Sequence, residues 1–75
     1  MVNDELANAV LKVMEKSDQP LETKEVEWMV KGNRGATRIK VIYRLNNLRG
    51  EGKIKGKFVG PGKGVWIWWK KEAFK

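Results

Sequence analysis

The spacing of the apolar residues predicts a helix near the amino end of the chain. Leu6, Val10 and Met14 recur at the spacing of one helix face, and they predict a helix over about residues 4–16. The sequence that follows, SDQP, is rich in helix-breaking residues, so the helix is expected to stop there. A few extended residues from Leu21 then predict a short strand.

A short second helix is expected over about residues 24–31, because Thr23 offers an N-cap and Gly32 offers a C-cap. Helical spacing predicts that the buried side of this helix consists of Val26, Met29 and Val30, and that Trp28 is half-buried. A tight link leads from this helix to the next, so the two helices are expected to form a helix-turn-helix.

A third helix is predicted over about residues 36–49, and its two faces differ strongly. Its buried stripe is expected to be Val41, Ile42, Leu45 and Leu48. The opposite side and its flanks carry polar and cationic side chains, which can reach a partner. Gly50 and Gly52 end the helical pattern, because glycine accepts the left-handed conformation that a helix stop often needs.

After the third helix the period changes to two, which predicts a hairpin of strands at about residues 53–59 and 65–70. In the first strand Ile54, Gly56 and Phe58 share one face, and lysines occupy the other. A glycine- and proline-rich stretch between the strands predicts the turn. In the return strand the face expected to join the core is Val65, Ile67 and Trp69, with Trp66 and Trp68 on the other face.

The predicted order, α-β-α-α-β-β, describes an α+β chain of 75 residues, which we interpret as one small domain over residues 1–75. Its net charge of +7 is unevenly distributed. Residues 1–30 contain three lysines and seven acidic residues, whereas residues 31–75 contain thirteen lysines or arginines and two glutamates. This segregation favours a polyanionic partner for the basic part. The alternative is a lysine-rich surface that serves solubility.

Composition argues against an enzyme and against a metal site. The chain contains no cysteine and no histidine, so disulfides, cysteine-based metal sites and the commonest general base are missing. The glycine-rich run in the hairpin lacks a serine or threonine after its Gly-Lys pair, so it does not match a nucleotide-binding P-loop. We therefore expect no catalysis, cofactor, metal or small-molecule substrate. The longest apolar run has five residues, from which we expect no membrane span and a cytoplasmic location.

Residues 42–54 read IYRLNNLRGEGKI and contain the spacing L-x-x-L-x-x-x-G-K-I. This passage, with the order of elements around it, resembles the winged helix-turn-helix domains of transcription regulators. The resemblance implies a recognition helix, residues 36–49, in the major groove of double-stranded DNA. It also implies a hairpin wing, residues 53–69, on the DNA backbone or in the minor groove, and transcription regulation as the function.

The residues expected to contact DNA carry cationic or hydrogen-bonding groups that suit phosphates and base edges. In the third helix and the link before it they are Arg34, Thr37, Arg38, Lys40, Tyr43, Arg44 and Asn47. In the wing they are Lys55, Lys57 and Lys63. Structural alternatives exist for most of them. Thr37 can be a plain N-cap, Arg38 can cover the core with its aliphatic stem, and Tyr43 can pack on the second helix. The remaining helix cations can form a solvated face, and the wing lysines can protect a sheet edge from aggregation.

Trp66 and Trp68 leave other partners open. On the outward face predicted for them, they can form an interface with a protein, a homodimer included, stack on bases, or shield the sheet. A winged-helix module for protein interaction or assembly is therefore an alternative function, and RNA binding is another.

Overall fold

The computed structural model describes residues 5–30 and 36–72. The elements are α1 (Glu5–Lys16), β1 (Leu21–Glu22), α2 (Thr23–Met29), α3 (Arg38–Gly50), β2 (Ile54–Val59) and β3 (Val65–Lys70). This order confirms the predicted α+β class, with three helices, a short strand and a C-terminal two-stranded hairpin.

Two helix starts differ from the predicted residues, and capping explains both. α2 begins at Thr23 because Glu22, in place of Thr23, is the N-cap. The backbone N–H of Glu22 donates to Oε1 of Glu25 at 2.8 Å, the contact of a capping box. α3 begins at Arg38, two residues later than predicted, because Thr37 keeps an extended backbone as the N-cap.

The core lies between the three helices and one face of the sheet. Its buried side chains are Leu6, Val10, Met14, Leu21, Val26, Val30, Val41, Leu45, Leu48, Ile54 and Trp68. In α1 and α3 they recur at the three- and four-residue spacing of a single face. No polar or charged residue is buried in the described part of the chain, so the core is held together by apolar packing.

The strands form one antiparallel sheet in the order β1-β3-β2, in which β2 is an edge strand. Along the hairpin, Gly56 lies directly opposite Trp68. Directly paired residues share a face of an antiparallel sheet, so Trp66 and Trp68 lie with Ile54 and Gly56 on the side of the helices. The prediction was therefore wrong for the face formed by Val65, Ile67 and Trp69, which points away from the core.

Trp68 fills the centre of the inner sheet face and is 0% exposed. Its Nε1 donates to Oγ1 of Thr23 at 2.8 Å, which gives the buried ring nitrogen a hydrogen-bond partner. The absence of a side chain at Gly56 makes the room, because a Cβ there would lie 2.5 Å from Cε3 of Trp68. Trp68 is therefore a core residue, so the outward face predicted for it was wrong and it has no exposed surface for the interface considered as one of its roles.

Three apolar residues of the helices lie on the surface, contrary to prediction. Trp28 is 71% exposed, and Met29 and Ile42 are also exposed. α2 has only seven residues, and Val26 and Val30, one turn apart, supply its contact with the core. The residues between these valines are turned outward.

Candidate nucleic-acid interface

The amino end of α3 is fixed by Thr37. Its Oγ1 accepts a hydrogen bond from the backbone N–H of Lys40 at 3.3 Å, and the backbone at Thr37 is extended, as an N-cap requires. This confirms the capping role considered for Thr37. The N–H groups in the first turn of a helix point toward its amino end, where a phosphate would be stabilised.

Arg38 joins α3 to α2 by an ion pair. Its Nε lies 2.9 Å from Oε1 of Glu27, and the Arg38 side chain remains 57% exposed. The sequence predicted either a DNA contact or coverage of the core and did not identify this partner. The ion pair holds the guanidinium at the side of α3 that faces α2, so Arg38 lies at the margin of the helix surface and not at its centre.

Most of the polar residues predicted for α3 are on one accessible side. Lys40, Tyr43 and Asn47 are exposed, and Arg44 is half-buried. The guanidinium carbon of Arg44 lies 5.5 Å from the centroid of the Tyr43 ring, within the range of a cation–π contact. The structure thus brings these residues together around the outer surface of α3, with Arg44 on the flank of that surface.

Sequence reasoning missed Ile39, which is 80% exposed on the outer surface of α3. Tyr43, one turn later, is 62% exposed. Ile39 does not fit the period of the buried residues Val41, Leu45 and Leu48, and this mismatch was the available signal in the sequence.

The wing lysines lie on the outer face of the sheet and at its tip. Lys55 is paired with Trp69, and Lys57 is paired with Ile67, so both lysines point away from the helices. Lys63 is exposed in the turn between β2 and β3. Because β2 is an edge strand, a large ligand on α3 would have to extend around this edge to meet the lysines.

The inner face of the wing carries a row of aromatic rings that becomes more exposed toward the tip. Trp66 stacks on Trp68 with ring centroids 5.1 Å apart, and Phe58 meets the edge of Trp66 at 6.0 Å. The guanidinium carbon of Arg49, at the end of α3, lies 5.2 Å from the Trp66 centroid. Trp66 is thus enclosed by protein groups, and Arg49 is a cation of this region that the sequence prediction left out.

Other predicted features can be placed only in part. Arg34 lies outside the described residues. Within residues 5–30 and 36–72, no cluster of carboxylate, histidine or cysteine side chains is arranged to hold a metal ion. None of the helices in the described segments is long and apolar enough to cross a bilayer.

No protein-family model matches the chain, and no curated protein matches its sequence. A solved structure of HOP2 is similar in three dimensions, with a TM-score of 0.71 and 25% sequence identity. The similarity covers 87% of this chain and 97% of the HOP2 chain. The HOP2 structure is described in terms of DNA recognition, protein interaction domains and homologous DNA pairing. The likeness confirms the winged-helix fold of the present chain.

Proposed function

We propose that this chain binds double-stranded DNA, with α3 in the major groove and the wing formed by β2 and β3 against the backbone or in the minor groove. The observation that carries the proposal is the composition of α3, RIKVIYRLNNLRG, which contains four arginines or lysines and no carboxylate. A polyanion is the partner that such a surface suits, because each cation near a phosphate releases a counterion. The DNA recognition described for HOP2 supports the same reading.

The wing adds a second group of cations, on the outer face of the sheet and at its tip. Lys57 lies on the edge strand β2 and Lys63 in the turn, so both can meet phosphates where DNA beside the groove that α3 occupies extends around this edge. These contacts are independent of base sequence, so the wing adds affinity while α3 supplies any discrimination between sequences.

The biological use of this binding is a separate part of the proposal. The sequence resemblance implied transcription regulation, whereas the process described for HOP2 is homologous DNA pairing. We favour DNA pairing or another recombination-related role, because it has the support of a structural neighbour. The cytoplasmic location predicted from the sequence stays a prediction. We also propose that the chain acts by binding and not by catalysis, since it has no histidine and no cysteine.

Fluorescence anisotropy with duplex DNA, single-stranded DNA and duplex RNA tests the proposal directly. We expect tightest binding to duplex DNA, and a loss of affinity as the salt concentration rises. Lys40→Ala should weaken this binding and lower the salt slope by about one, the amount expected for one phosphate contact. Lys12→Ala, at an exposed lysine of α1, is the matched control and should leave affinity unchanged. Equal losses in the two variants, or preference for single strands, would contradict the proposed interface.

A protein contact is a second candidate function, and the exposure of Trp28 favours it. Trp28 and Met29 form an apolar surface on α2, whereas the sequence had placed this role at Trp66 and Trp68. Large exposed aromatic residues are enriched in protein interfaces. If α2 forms a homodimer interface, sedimentation velocity should detect concentration-dependent dimers of the wild type. Trp28→Ala should abolish them without changing DNA affinity per chain, and a monomer at all concentrations would reject the homodimer.

A further inference from the structure

The centre of the exposed surface of α3 is apolar, and the cations lie at its flanks. A rotation of about 100° per residue places Ile39 and Tyr43 within about 30° of the direction opposite the buried stripe. The same rotation places Lys40 about 75° and Arg44 about 115° from that direction. The exposed fractions of the side chains agree with these angular positions, since Ile39 is the most exposed large apolar residue of the described chain and Arg44 is half-buried.

This arrangement matches the two kinds of surface that a helix meets in a major groove. The groove is about 12 Å wide, and a helix with its side chains is about 10–12 Å in diameter. The outermost face of the helix therefore approaches the base edges, and its flanks approach the phosphates on both sides. The largest apolar group that a base pair presents in the major groove is the C5-methyl group of thymine.

We propose that Ile39 recognises thymine methyl groups in the major groove and that α3 consequently favours thymine-containing duplexes. This inference rests on the duplex binding by α3 proposed above. An isoleucine side chain has no donor or acceptor, so the thymine methyl is the feature of the groove floor that it can distinguish. Tyr43 extends the apolar surface by one helical turn.

The charges beside Ile39 favour DNA over a protein partner for this surface. Single exposed apolar residues are common on proteins and need no function by themselves. Here the apolar centre lies on a helix whose charged residues are Arg38, Lys40, Arg44 and Arg49, all cationic. An apolar strip between cations is complementary to a groove with methyl groups on its floor and phosphates on its walls.

Replacing thymine with uracil in a duplex tests this inference, because uracil lacks the C5-methyl group and keeps the base-pairing groups. Two A·T-rich duplexes of identical sequence, one with thymine and one with uracil, would be titrated by fluorescence anisotropy. Wild type should bind the thymine duplex about fourfold more tightly for each methyl group that becomes fully buried. Ile39→Ala should bring the ratio of the two affinities close to one.

Lys40→Ala is the matched control, since a phosphate contact does not depend on the methyl group. It should weaken binding to both duplexes by the same factor and keep the thymine preference of the wild type. Circular dichroism of Ile39→Ala would verify that the variant is folded, which its exposed position predicts.

The outcomes separate this inference from the proposed function. Equal binding of the two duplexes by the wild type would overturn the role of Ile39 and leave duplex binding in place. A thymine preference that persists in Ile39→Ala would also overturn it, because the preference would then come from another residue or from DNA shape. An absence of salt-sensitive duplex binding would reject the proposed function and this inference together.

Discussion

α1 and α3 have nearly the same length, 12 and 13 residues, but they use their apolar residues differently. In α1 the buried residues Leu6, Val10 and Met14 lie on one face, and none of the exposed large hydrophobic side chains of the described chain belongs to this helix. In α3 a buried stripe is present as well, yet Ile39 and Tyr43 project from the opposite side.

The difference shows where the requirements of folding alone account for the choice of residues in each helix. Burial of apolar area accounts for the whole pattern of α1. It accounts for only the inner half of α3, because an isoleucine that stays in water contributes little to stability and has a lower helix propensity than lysine or glutamine. The outer surface of α3 is therefore the place where a binding function best explains the choice of residues.

The largest effect is expected from the buried stripe of α3. Leu45 is fully buried, so Leu45→Ala should lower the free energy of unfolding by about 2–5 kcal/mol through lost burial and a residual cavity. Urea denaturation would measure it. Leu45→Met, which nearly conserves volume, should cost less than about 1.5 kcal/mol. A loss below about 1 kcal/mol for Leu45→Ala would mean that α3 is not held by its buried stripe as α1 is.

A smaller loss of stability is expected from a substitution where the sheet packs against the helices. Gly56→Ala would place a Cβ 2.5 Å from Cε3 of Trp68, and the required shift should cost about 1–3 kcal/mol. Gly50, the last residue of α3, has no atom within 4 Å of an added Cβ and serves as the matched site. Gly50→Ala should be neutral or stabilising by about 0.5–1 kcal/mol, because alanine has the better helix propensity. Equal thermal shifts in the two variants would contradict the packing of Trp68.

The positions of α1 and α3 were predictable from the sequence because local signals determine them. The period of the buried residues located α1 and α3, and the choice of Thr37 as a capping candidate was correct. The outer surface of α3 was only partly predictable. Ile39 was not among the residues predicted for this surface, because only cationic and hydrogen-bonding side chains were expected there. Its mismatch with the period of the buried residues is nevertheless visible in the sequence.

The faces of β3 were not assigned correctly, because alternation within one strand does not show which face is buried. All of residues 65–69 are apolar, so both faces looked equally suitable. The register across the hairpin decides which face of β3 is buried. Since Val59 pairs with Val65, Gly56 falls opposite Trp68, and the missing side chain of Gly56 makes room for the large ring. This is a long-range packing constraint that strand propensity does not contain.

Removing the N-cap of α3 tests the end of the helix and should have a moderate effect. Thr37→Ala loses the hydrogen bond from the Lys40 backbone N–H and should destabilise the protein by about 1 kcal/mol. Thr37→Ser keeps a hydroxyl acceptor and should retain most of the stability. Thermal denaturation of the two variants gives the comparison, and a loss of stability in both of equal size would show that the methyl group, and not the cap, is what matters at this position.

The smallest change in stability is expected on the outer face of α3, and it is the most direct test of the contrast with α1. Ile39→Gln removes the exposed apolar side chain but keeps a residue that suits a helix, so the free energy of unfolding should change by no more than about 0.5 kcal/mol. In α1, Val10→Gln would put a polar group at a fully buried position and should be strongly destabilising. If Ile39→Gln lowers stability by more than about 1 kcal/mol, folding would explain Ile39 as it explains α1. A neutral result in urea denaturation leaves binding as the reason for an isoleucine on a surface where glutamine folds equally well.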